Sequence, residues 1–102
     1  MFTIKAPATI PATLTIEGQG REQKLNLVYR SMPRTDYQAK IEQLQKGETS
    51  VDKVLLELVE SWEADVPFDA AGIALAQQEQ PGLVLAILFG YSEANSVGRK
   101  GN

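Results

Sequence analysis

The chain has no cysteine and no histidine among its 102 residues. Without cysteine there is no disulfide framework, no thiolate nucleophile and no zinc-thiolate site, and nothing points to an oxidising compartment. Without histidine the usual general base near neutral pH and the commonest metal ligand are both missing. Ser31, Ser50, Ser61, Ser92 and Ser96 therefore have no imidazole to activate them, and no Gly-x-Ser-x-Gly elbow occurs. Concentrated positive charge is lacking too. Ten Lys and Arg are scattered against 13 Asp and Glu, for a formal net charge of -3. A nucleic-acid partner demands a dense basic face, so none is expected. The longest apolar run, Leu83 to Phe89, falls far short of the ~20 residues a bilayer-spanning helix needs, so no membrane partner is expected either. Met1 to Ile10 lacks the basic start and apolar stretch of a secretory signal, and Pro7 and Pro11 would interrupt one, which points to a cytoplasmic location.

What is present is ordinary globular material, 43% apolar and 23% charged. That is enough for one core, and residues 1–102 are read as a single domain. Leu14 and Ile16 alternate with Thr13, Thr15 and Glu17, and Leu25, Leu27 and Tyr29 alternate with polar neighbours. The period of two predicts two strands, each with one buried face. The polar link Glu17 to Gln23 carries two glycines and joins them as a hairpin. Phe2-Thr3-Ile4 is the candidate for a third short strand, which Pro7 and Pro11 confine to an edge or an extended lead-in.

From Met32 the period becomes helical. Tyr37, Ile41 and Leu44 predict a helix opened by Pro33 in its first turn and stopped by Gly47. Thr49 or Ser50 caps a second helix, on which Val51, Val54, Leu55, Leu58, Val59 and Trp62 form one apolar stripe, with Leu56 off it. The indole N–H of Trp62 is expected to reach a loop carbonyl. Asp69 caps a third helix through Ile73 and Leu75, which Gly72 weakens, and Pro81 begins a fourth, from Gly82 to about Val97. Gly98 to Asn102 should fray. The fold class is α+β, an N-terminal β-hairpin followed by about four helices.

Chemistry-bearing patterns are thin. Gly18-Gln19-Gly20 begins like a phosphate loop, but Gln23 replaces the third glycine and no helix follows, so a hairpin tip is the better reading. Glu57, Glu60, Glu63 and Asp65 could be an acid and base pair, but Glu57 and Glu60 lie opposite the apolar stripe, where solvation keeps both ionised. Glu63, Asp65 and Asp69 lack the spacing of an Asp-rich cation loop. No catalytic residue, cofactor or metal is expected. The first half of the last helix is apolar on every side and must be covered by its own domain or by a partner. Leu83, Leu85, Leu88 and Phe89 are the candidate protein-binding residues, with Leu56 as an outlying one.

The order of features carries a resemblance. Ile10-Pro11-Ala12-Thr13-Leu14 in a Thr-rich lead-in is followed by Leu58-Val59-Glu60-Ser61-Trp62-Glu63 and then by the acidic linker Val66-Pro67-Phe68-Asp69. Tyr91-Ser92-Glu93-Ala94 and the terminal Gly98-Arg99-Lys100-Gly101-Asn102 complete it. Together these look like the tail assembly chaperones of long-tailed bacteriophages and their prophages. The resemblance covers nearly the whole chain, on soft motifs without a catalytic signature. It implies a non-enzymatic protein, absent from the finished virion, that coats the tape-measure protein, keeps it soluble and recruits tail-tube subunits. It also implies a homo-oligomer and, in many relatives, a second frameshifted product. The alternative is a structural virion component such as a connector or minor tail subunit.

Overall fold

The computed structural model describes residues 1–100; Gly101 and Asn102, part of the tail expected to fray, lie outside the described residues. Strands β1 (Thr9–Gly18) and β2 (Arg21–Arg30) form the hairpin, and helices α1 (Arg34–Gln45) and α2 (Val51–Leu58) follow. Strand β3 (Val59–Trp62) comes next, then helices α3 (Ala70–Glu79) and α4 (Leu83–Ala94). The architecture is α+β, with one antiparallel sheet in the order β1-β2-β3.

The hairpin turn is tighter than the polar link suggested. Gly18 pairs with Arg21, so only Gln19 and Gly20 lie between the strands, with φ of 57° and 77°. Two positive φ values make a turn whose twist matches that of the strands it joins. In such a hairpin the pair flanking the turn is hydrogen-bonded and the parity then alternates. Even-numbered β1 residues therefore bond to β2, as the Ser31 N–H does to Ala8 O at 2.9 Å. Odd-numbered ones, Pro11, Thr13, Thr15 and Glu17, turn their backbone groups outward. Pro11, which has no N–H, stands where none is needed.

The third strand is not Phe2-Thr3-Ile4, which belongs to an exposed extended arm with Phe2 at 83% and Ile4 at 88% exposure. It is the end of the stripe read as helical. Helix α2 stops at Leu58, and Val59 to Trp62 pairs antiparallel with β2, Tyr29 opposite Val59 and Val28 opposite Ser61. A bulge at this point leaves Glu60 as the extra residue. The bulge puts Val59 and Trp62, three residues apart, on the same face of the sheet. A bulged strand thus imitates the i, i+3 spacing of a helix. Arg30 fixes the junction by donating to Leu56 O at 3.0 Å and Val59 O at 2.8 Å, which satisfies a carbonyl in the last turn of α2.

Alternation puts Leu25, Leu27 and Tyr29 on the inner face, with Ile10, Ala12, Leu14 and Ile16 of β1 beside them. Against that face pack Val54, Leu55 and Leu58 of α2, Ile73 of α3 and Val84, Ile87, Leu88 and Tyr91 of α4. The outer face is polar: Thr13 donates to Asn26 at 2.7 Å and Lys24 to Thr15 at 2.6 Å. Helix α1 is peripheral, with Tyr37, Ile41 and Leu44 only half-buried. Pro33 sits at its N-cap, one place earlier than expected, and Gly47 ends it through the Glu48 N–H to Gln43 O bond.

Helix α4 reaches the sheet because residue 90 is glycine. A Cβ there would lie 2.9 Å from the Tyr29 hydroxyl and 3.1 Å from Leu14 Cδ2. The close approach lets Tyr29 donate to Ile87 O at 2.6 Å, while Tyr91 donates to Arg30 O at 3.0 Å and meets Tyr29 edge-on at 5.3 Å. Burial, helped by Tyr37 and Glu93, pushes the Tyr29 hydroxyl well above the ordinary phenol range, and burial is also the main cause that raises Tyr91. Folded-state values above the unfolded value of 10.0 mean that this contribution is whole below pH 10 and lost as pH climbs toward the folded values. Denaturant midpoints are expected to hold steady from neutrality to about pH 9.5 and to fall beyond about pH 10.5. Tyrosinate absorbance at the buried sites should grow in only as helical circular dichroism disappears.

Candidate functional site

Helix α4 is covered by its own domain on one face and left exposed on the other. Val84, Ile87, Leu88 and Tyr91 turn inward, and Leu83 is half-buried. Leu85, Ala86 and Phe89 turn outward, with Leu85 45% and Phe89 67% exposed. At 100° per residue Leu85 and Phe89 are only about 40° apart and share one face, while Leu88 lies about 100° from Phe89. Leu88, at 2% exposure, is thus a core residue and drops out of the candidate strip.

The outward face of α4 overhangs the free edge of β1. Between them runs an open groove of about 500 Å³, floored by Ala12, Leu14 and Ile16 and walled by Ala86, Phe89 and Gly90. It continues toward the hairpin tip into a second depression that includes Leu83. The sequence patterning points to Phe89 but not to the other wall of this groove, the β1 edge at Thr13 and Thr15. Pro11 within a Thr-rich alternating run was the available signal, since proline in a strand marks an edge.

Leu56, 37% exposed, is on α2 and lines neither the β1 groove nor the depression beside it. Leu83 also lines a depression of about 560 Å³ with Leu25, Trp62 and Leu75. Leu75, 45% exposed on α3, was not singled out from the sequence because it reads as part of that helix's apolar set.

The polar candidates are occupied structurally. Asp69 caps α3 by accepting the Gly72 N–H at 2.7 Å, and Glu63 accepts from Asn26 at 3.3 Å. Glu57 pairs with Lys40 of α1, and Glu60 is the exposed bulge residue of β3. Among the described residues no group of three or more Asp, Glu, His or Cys is placed to hold a metal ion. Trp62 donates to Val66 O at 2.8 Å and packs edge-on against Phe68 at 5.0 Å, pinning the acidic linker to the sheet. No helix among the described residues is long and apolar enough to cross a membrane.

An apolar helix face beside an open strand edge is surface of the kind that takes up other polypeptides. The model of the phage tail assembly chaperone family matches residues 1–102, the whole chain, and the protein belongs to that family. No curated protein and no solved structure matches it. A tail assembly chaperone acts on protein partners in the tail and its role is not a catalytic one.

Proposed function

We propose that this chaperone covers apolar helical stripes of the tape-measure protein, keeps it soluble in the host cytoplasm and recruits tail-tube subunits to it, working as a homo-oligomer. The observation that carries the reading is the exposed pair Leu85 and Phe89 on the outward face of α4, with Phe89 walling the β1 groove. An unassembled tape-measure helix displays apolar side chains at i, i+3, i+4 and i+7, and such a stripe docks on an apolar groove. The net charge of -3 leaves the rest of the surface able to keep the complex in solution. Leu83, at the start of α4, flanks the strip, and Leu56 is a separate secondary contact.

Two measurements test this. Co-expression with the tape-measure protein is expected to move that protein from the pellet to the soluble fraction, with the chaperone co-purifying. Mass spectrometry of purified particles is expected to find the chaperone missing. Stoichiometric chaperone in finished particles would instead make it a structural tail component and end the proposal.

A further inference from the structure

We infer that β1 pairs with β1 of a second copy, antiparallel and about a two-fold axis through Thr15, and that this joint builds the complete docking groove. The inference deepens the functional reading above and rests on it for the identity of what the groove holds. Its starting point is the edge itself. β1 pairs with β2 over all ten of its residues without a bulge, so its other side is a straight row of free backbone groups. Edge strands are normally blunted by lysines, bulges or covering loops. Here the only devices are Pro11 and Glu17, and the extended arm before Thr9 is exposed and does not cover the edge.

The register follows from which residues face outward. Pairing Thr15 with Thr15 sets Thr13 opposite Glu17 twice and gives three complete outward pairs, or about six hydrogen bonds. Moving the strands toward the N-terminus pairs Pro11, which has no N–H to give and can only accept, and takes Glu17 away from Thr15 of the second copy. Moving them toward the C-terminus runs the pairing onto the Gln19-Gly20 turn and then sets Glu17 against Glu17. Charge favours the same register. Each Glu17 comes diagonally across from Thr15, whose hydroxyl takes the Lys24 ammonium at 2.6 Å, so two pairs of opposite charge bridge the joint. On the inner face Leu14 meets Ile16 of the second copy, continuing the apolar floor.

The shape of the groove gives the second reason. A helix about 10 Å across laid in the single open groove of about 500 Å³ has an α4 wall on one side only. Joining two β1 strands places two such grooves side by side, which doubles the width of the strand floor and sets an α4 helix on each flank, so that a stripe docked there is walled on both sides.

The test uses the whole chain. Sedimentation equilibrium should find a dimer. Thr15→Pro removes an N–H that does not bond to β2, so the variant should keep its circular dichroism while dimer affinity falls about 100-fold. Because the chain has no cysteine, Thr15→Cys should cross-link into a dimer on mild oxidation, the Cα separation of about 5.5 Å in such a pair suiting a disulfide. Thr9→Cys should not. A monomeric wild type, a Thr15→Pro variant that stays dimeric, or equal cross-linking at positions 9 and 15 overturns the inference. If Thr15→Pro keeps the wild-type assembly state but loses the tape-measure protein, the edge holds that protein and not a second copy, which also overturns it. A Thr15-linked dimer that captures no tape-measure protein upholds the pairing and sinks only the functional reading.

Discussion

Replacing Gly72 by alanine is expected to destabilise the protein by about 3 kcal/mol or more, although the same change inside a helix ordinarily stabilises by about 0.5–1 kcal/mol. Gly72 is the third residue of α3, buried, with its N–H given to the Asp69 cap at 2.7 Å. A Cβ at this position would stand 2.0 Å from the carbonyl oxygen of Pro67. That atom is backbone, so no side-chain rotation relieves the overlap. Either α3 moves away from the linker or the linker moves away from β3, and the second route strains the Trp62 bond to Val66 O and the Trp62–Phe68 contact. For a domain of this size the loss corresponds to about 12 °C or more in Tm. Ala71→Gly, at the exposed neighbouring position, isolates the propensity effect and should cost about 1 kcal/mol. A Gly72→Ala protein that melts at or above the wild-type temperature would show that the close approach to Pro67 has been misplaced.

Much of the fold was legible because its signals are local. Alternation found β1 and β2, and Asp69 announced the start of α3, because a strand's inner face and an N-cap are properties of a few adjacent residues. The α2–β3 junction was not legible. Val51, Val54, Leu55, Leu58, Val59 and Trp62 keep a helical period through both elements, and the bulge at Glu60 that preserves it arises from pairing with β2, more than 30 residues earlier. Gly72 reads as a weak point in its helix because its neighbour in space, the Pro67 carbonyl, is invisible to a propensity argument. The candidate site divides the same way. Composition located an all-apolar stretch, but which side of α4 faces the sheet is set by Tyr29, Gly90 and Leu14 together, so Leu88 could not be separated from Phe89 in advance. The outward groups of β1 depend on hairpin parity, which the true two-residue turn alone supplies.

The division of α4 into two faces makes the functional reading testable without unfolding the protein. Leu85→Ser with Phe89→Ser removes two side chains that are 45% and 67% exposed, so the folded state has little packing to lose and stability should change by only about 0.5 kcal/mol. Covered by a partner, a leucine and a phenylalanine contribute about 1.5–3 kcal/mol each, discounted here because each is already partly buried. Their joint loss should weaken capture of the tape-measure protein about 100-fold or more, enough to abolish co-purification at micromolar concentrations. Leu88→Ser is the informative contrast: at 2% exposure it should lower Tm sharply, and any loss of capture would then follow from unfolding. Leu56→Ser, on α2, should leave the fold intact and weaken capture less than the α4 pair does. A soluble, cooperatively melting Leu85→Ser/Phe89→Ser protein that still brings down the tape-measure protein at wild-type yield would remove α4 from the docking surface.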